Sequence, residues 1–96
     1  MKQILTTDVF DGWFGGLRDI RAKVRIQARI DRAWLGNFGD CAPVGEGVSE
    51  MRIHHGPGYR VYFAQRGLEV VILLAGGDKS SQPKDIERAL ELARSL

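Results

Sequence analysis

Glu50-Met51-Arg52-Ile53-His54-His55-Gly56-Pro57-Gly58-Tyr59-Arg60-Val61-Tyr62-Phe63 reads as two alternating strands joined by a glycine-proline turn. Successive side chains on a strand point to opposite faces. Met51, Ile53, Val61 and Phe63 therefore share a core face, while Glu50, Arg52, His54, Arg60 and Tyr62 share the other. Two guanidinium groups on one surface suit a phosphate diester, and a nearby histidine or carboxylate suits removal of a ribose hydroxyl proton. The plainer reading of the same face is a solvated sheet surface with a cross-strand ion pair.

Outward from this hairpin the chain punctuates clearly. Gln3 to Thr7 reads as a first strand, with Thr7 or Asp8 capping a short helix that carries Val9-Phe10 and Trp13-Phe14. Gly15-Gly16 separates it from a longer helix capped by Asp19 and ending near Leu35, before Gly36-Asn37. Residues 38–47, broken by glycine, proline and acidic residues, read as a loop before a second strand near Val48. Tyr59 to Ala64 is the third strand. Leu68 to Ala75 is the fourth, apolar on both faces and so expected inside the sheet, with Gly76-Gly77 ending it. Pro83 opens a last helix whose apolar stripe is Ile86, Ala89, Leu90 and Ala93. The expected architecture is a single α+β domain over residues 1–96: an antiparallel-rich twisted sheet of about four strands against an N-terminal helix pair and a C-terminal helix.

Composition narrows the function. Ninety-six residues with 44% hydrophobic content make one core and one site. The longest apolar run, Val70 to Ala75, is too short to span a bilayer, and the N-terminus lacks the pattern of a signal peptide, so the expected location is cytoplasmic. Cys41 is the only cysteine, which excludes an intramolecular disulfide and a Cys-based metal framework, and it reads as structural. Neighbouring histidines on a strand point apart, so His54-His55 is not read as a metal site. Gly76-Gly77-Asp78-Lys79-Ser80 lacks the spacing of a phosphate-binding P-loop.

The net charge of +2 is unevenly spread: Arg18 to Arg32 holds six basic residues against two aspartates. Arg18, Arg21, Arg25, Arg29 and Arg32 fall within roughly 80° of a helical wheel, with Leu17, Ile20, Val24, Ile26, Ile30 and Trp34 expected on the apolar side. Such a stripe suits RNA or ribosome binding through charge, and equally a solvated helix face. Trp13 and Trp34 read as core or partner-facing residues.

The order of elements, with Gly36-Asn37-Phe38-Gly39-Asp40, Pro43-Val44-Gly45-Glu46-Gly47-Val48, Gly56-Pro57-Gly58-Tyr59-Arg60-Val61-Tyr62-Phe63 and Gly76-Gly77-Asp78-Lys79, resembles the RelE/ParE superfamily of toxins, within it the HigB-like addiction-module killer proteins. The resemblance covers nearly the whole chain. It implies the toxin of a type II toxin-antitoxin module: a ribosome-dependent mRNA interferase, an endoribonuclease that inhibits translation without metal or cofactor. Its implied partners are the ribosome, mRNA and a small cognate antitoxin, often of helix-turn-helix type, with acidic segments suited to the arginine stripe.

By the same resemblance Arg60 matches the strand arginine at the scissile phosphate, Arg52 a basic residue of the preceding strand, and Lys79 the basic residue after the last strand. Glu50 stands where a second basic residue often occurs, and residues 83–86 lack the tyrosine of RelE-type sites, which leaves His54 and Asp78 to move the proton. Tyr62 could stack on a base. Two alternatives remain open: a ParE-like gyrase poison on a similar fold, and a catalytically weak antitoxin-binding module.

Overall fold

A computed structural model describes residues 1–96. Strand β1 (Gln3–Thr6) leads to helices α1 (Asp8–Gly15) and α2 (Ile20–Trp34), then strands β2 (Cys41–Gly45), β3 (Val48–Ile53), β4 (Tyr59–Arg66) and β5 (Val70–Asp78). A 3₁₀ turn (Lys79–Ser81) opens into α3 (Gln82–Arg94). The sheet order is β1-β5-β4-β3-β2; β1 runs parallel to β5 and the other pairs are antiparallel.

The sheet therefore has five strands, not four. The additional one is β2, inside the stretch expected as a loop. Pro43 and Gly45 hide its alternation, yet Pro43 is tolerated because β2 is an edge strand that needs few ladder donors. Glu46 and Gly47, at φ 52° and 79°, supply the two left-handed residues that a tight hairpin turn requires. Arg94 clamps Glu46 through bonds of 2.8 and 2.6 Å, tying this turn to the end of α3.

Helix starts follow the caps read from the sequence. Thr7 Oγ1 accepts from the Phe10 amide at 3.1 Å, and Asp19 Oδ1 accepts from the Ala22 amide at 3.1 Å. Each face of the sheet carries its own core. Met51, Ile53, Val61, Phe63, Val71 and Leu73 pack against Phe10 of α1 and Ala22, Ile26, Ile30 and Ala33 of α2. On the other face Val48, Tyr62, Ala64, Ile72, Leu74 and Ala75 pack against Ala89 and Ala93 of α3. Full burial of a side chain such as Leu74 contributes roughly 1.5–3 kcal/mol. No helix is long and apolar enough to cross a membrane.

Gly76 and Gly77 do not end the last strand, which continues through both to Asp78. They are close-packing positions. A Cβ on Gly76 would lie 2.2 Å from ring carbons of Trp13, and one on Gly77 would lie 1.8 Å from Asp85 Oδ2. The pair lets α1 approach one face and the start of α3 the other. Gly76→Ala or Gly77→Ala should accordingly destabilise the protein by about 1–3 kcal/mol, as overpacked cores do; a denaturation midpoint unchanged in both variants would contradict this account of the glycines.

Candidate functional site

Residues expected on one strand face divide at the end of β3. Glu50, Arg52, Arg60 and Tyr62 lie on the α3 side, in cross-strand pairs Glu50–Tyr62 and Arg52–Arg60. β3 ends at Ile53, so His54 leaves the alternation and turns to the opposite edge, where a groove of about 250 Å³ is lined by Arg25, Ala28, Arg29, Arg32, Ile53 and His54. The arginine helix and His54, far apart in sequence, thus share one basic groove.

Arg29 differs from the other arginines of the stripe. It donates to the carbonyls of Arg52 at 2.5 Å, Phe38 at 2.9 Å and Asp40 at 3.0 Å. Three of its five N–H donors are committed to backbone acceptors, and burial draws its pKa below the usual guanidinium range against the opposing charge of Asp40. Arg29 is thus a clamp that fixes the 38–40 loop, not a free phosphate ligand. Arg18, Arg21, Arg25 and Arg32 stay exposed, Arg18 just ahead of α2.

Asp40 is the residue that sequence reasoning missed. Its carbonyl accepts from the Arg52 amide at 2.9 Å as well as from Arg29. So held, its carboxylate lies 2.6 Å from His54 Nε2 and 3.9 Å from the Arg52 guanidinium. A carboxylate only accepts, so the bond to Asp40 is donated by Nε2–H, and Nδ1 is the ring nitrogen that this contact leaves free. The hydrogen bond from His54 holds the Asp40 carboxyl below its usual range.

The polar chain continues inward. Arg52 Nε donates to Glu50 Oε2 at 2.9 Å, which raises the Arg52 pKa, and Gln82 Nε2 at the start of α3 donates to Glu50 Oε1 at 3.0 Å. Glu50 is buried at 3% exposure, so it is an internal bracket between β3 and α3. Arg60, 8% exposed, forms no ion pair, and its Nε is buried without a partner. The fully buried Tyr62 hydroxyl is likewise unpartnered, and burial together with the charge of Glu50 pushes the phenol pKa well up. In this conformation Tyr62 has no surface on which a base could stack.

Asp78 caps the 3₁₀ turn. Its carboxylate accepts from the Ser80 amide at 2.8 Å and the Ser80 hydroxyl at 2.5 Å, and these bonds lower its pKa, which suits a cap better than a proton acceptor. Lys79 is exposed, and its stem lies where a Cβ on Gly58 would meet it, beside the β3–β4 turn. His55 Nε2 meets Asp19 at 3.2 Å, joining that turn to the start of α2. Cys41, expected as structural, is exposed on β2.

Two stability outcomes follow. Arg29→Ala should cost on the order of 2 kcal/mol because it leaves three carbonyls without their charged donor, whereas Arg25→Ala should stay within about 0.5 kcal/mol; equal denaturation midpoints for the two variants would remove the clamp. Asp19, Asp40, Glu46 and Asp78 all have lowered pKa values, from the Ala22 amide, His54, Arg94 and Ser80 respectively. Depressed carboxyls contribute stability that is fully present above their unfolded pKa and lost as pH falls through the folded one. Melting temperature should hold above about pH 5 and fall below about pH 4, with Asp40→Asn showing a shallower acid decline.

No protein-family model matches the chain. An "Uncharacterized protein" of Haemophilus influenzae strain Rd is 52% identical over 94 residues, covering 98% of this chain and 95% of that protein.

Proposed function

The chain belongs to one family with that Haemophilus influenzae protein, and for this member we propose RNA cleavage of the kind performed by HigB-like toxins of the RelE/ParE superfamily. The observation that carries the reading is the 2.6 Å contact of His54 with Asp40, at a groove lined by Arg25, Arg29 and Arg32.

Arg25 and Arg32 receive the phosphate backbone, and Arg52, on the other oxygen of Asp40, lies near enough to add charge at the scissile phosphate. His54 Nδ1 takes the proton of a ribose 2′-hydroxyl. The freed oxygen attacks the adjacent phosphorus, the bond to O5′ breaks, and a 2′,3′-cyclic phosphate and a 5′-hydroxyl result, the leaving oxygen taking a proton from solvent. Asp40 orients the imidazole and offsets the positive charge it gains, while the guanidinium groups stabilise the pentacoordinate phosphate. Lys79 approaches the same hairpin from the end of β5. Arg60, 8% exposed on the α3 face, is not among the residues of this groove. Under this reading the substrate is mRNA on the ribosome, and a cognate antitoxin masks the basic groove in the resting cell.

Primer extension on a defined message during in vitro translation tests the proposal. The wild type should cut at fixed codon positions only when ribosomes are present, His54→Ala should lower cutting by about 10²–10³-fold, and Arg52→Ala should lower it by about 10²-fold. Undiminished cutting by His54→Ala would sink the assignment of the base. An intact message, together with DNA breaks that require gyrase, would replace the reading with the ParE-like one.

A further inference from the structure

Helix α2 presents two unlike exposed flanks. At about 100° per residue, Arg21, Arg25 and Arg32 occupy one flank, while Ile20, Val24, Gln27, Asp31 and Trp34 form another within roughly 80°, with the buried Ile26 and Ile30 between them. Ile20, Val24 and Trp34, all read on the apolar side of the helix and Trp34 as core or partner-facing, are 74%, 63% and 44% exposed. The reason is geometric: the sheet covers the arc containing Ala22, Ile26, Ile30 and Ala33, and the apolar side chains beyond that arc lie outside the core cluster.

Beside this second flank lies the largest groove of the molecule, about 470 Å³, floored by β1 and β5 and walled by α1 and α2. Phe10, Phe14, Ile30 and Trp34 line it, and an aspartate stands on each helical wall, Asp11 on α1 and Asp31 on α2. Neither carboxylate forms an ion pair within the fold; Asp31 accepts only the amide of Gln27, at 2.9 Å. β1, which contributes Ile4 and Thr6 to the floor, is an edge strand whose outer side has no partner strand. In a chain with a net charge of +2 and an arginine-rich opposite flank, a groove with aromatic lining and acid on both walls is chemically distinct from the RNA site.

We propose that this groove docks an amphipathic helix of a second protein, with large apolar side chains on one face and lysine or arginine on both borders. The apolar face fills the space above Phe10, Phe14 and Trp34, and the cations meet Asp11 and Asp31. Such helix-in-groove recognition uses apolar anchors for affinity and flanking charge for orientation. The inference does not depend on the nuclease reading, because the groove shares no residue with the basic one.

The test uses the full chain, labelled with ¹⁵N, and two synthetic helical peptides of about 18 residues. Both carry the same leucine-rich face, one flanked by lysines and the other by glutamates. The lysine peptide should bind with shifts centred on the amides of Phe10, Phe14 and Trp34, and at least tenfold more tightly than the glutamate peptide. Asp11→Lys with Asp31→Lys, both at exposed positions, should reverse that preference in a chain that still melts cooperatively, at a somewhat lower midpoint because Asp11 lies in the first turn of α1 and Asp31 accepts from Gln27. His54→Ala should leave binding unchanged. Equal binding of the two peptides, no binding, or shifts centred on the His54 groove or α3 would overturn the proposal. So would a dimer in sedimentation equilibrium that Trp34→Glu abolishes, since the occupant would then be a second copy of this chain.

Discussion

The middle of this sheet is covered on both sides, and that constraint shapes everything outside it. β4 and β5 lie between two cores, so from Val61 to Ala64 and from Val71 to Gly77 no residue is open to solvent. A buried strand has no room for hydrated side chains. Polar groups are therefore pushed to the end where β3 and β4 turn, or they enter the interior and must be paired there. Glu50 is the paired case, bracketed by Arg52 and Gln82. Arg60 and Tyr62 are the unpaired ones, an arrangement that costs stability in a closed fold. Unsatisfied groups of this kind are often found where a protein meets a ligand or moves.

Arg29 converts the packing of α2 into placement of the polar edge. Its guanidinium reaches across to three carbonyls, two on the 38–40 loop and one at Arg52. A fork with several donors in fixed geometry suits such a task better than a lysine ammonium would. Because the backbone of Asp40 is held, its side chain can hold His54 and lie near Arg52 together. The polarity of the edge thus rests on a residue whose own charge is turned inward.

The same helix serves three environments at once. One arc of α2 is core, one is basic and faces the His54 groove, and one is apolar with an aspartate and faces α1. A two-sided division into apolar and basic faces describes the first two arcs and misses the third. Helical periodicity separates hydrophobic from polar residues, but it carries no information about how wide an arc the neighbouring sheet covers.

Much of the architecture was legible along the chain because it rests on short-range rules. Caps at Thr7 and Asp19, the stop at Gly36, the alternation of β3 and β4, and the apolar run of β5 each express a local preference or a period of side-chain direction. The helix pair, the interior place of the last strand and the basic character of α2 follow from these alone. What required the tertiary structure were features set by distant partners. β2 became a strand only because β3 lay beside it; Gly76 and Gly77 stayed within β5 because Trp13 and Asp85 press on them; Arg29 left the basic stripe for carbonyls brought near by folding. The separation of His54 from Arg60, and the pairing of His54 with Asp40, depend on where β3 ends and on a loop pinned from another helix. Sequence specifies which side chains can do chemistry through their type and spacing, whereas their company is decided by contacts between residues far apart in the chain, which no local pattern encodes.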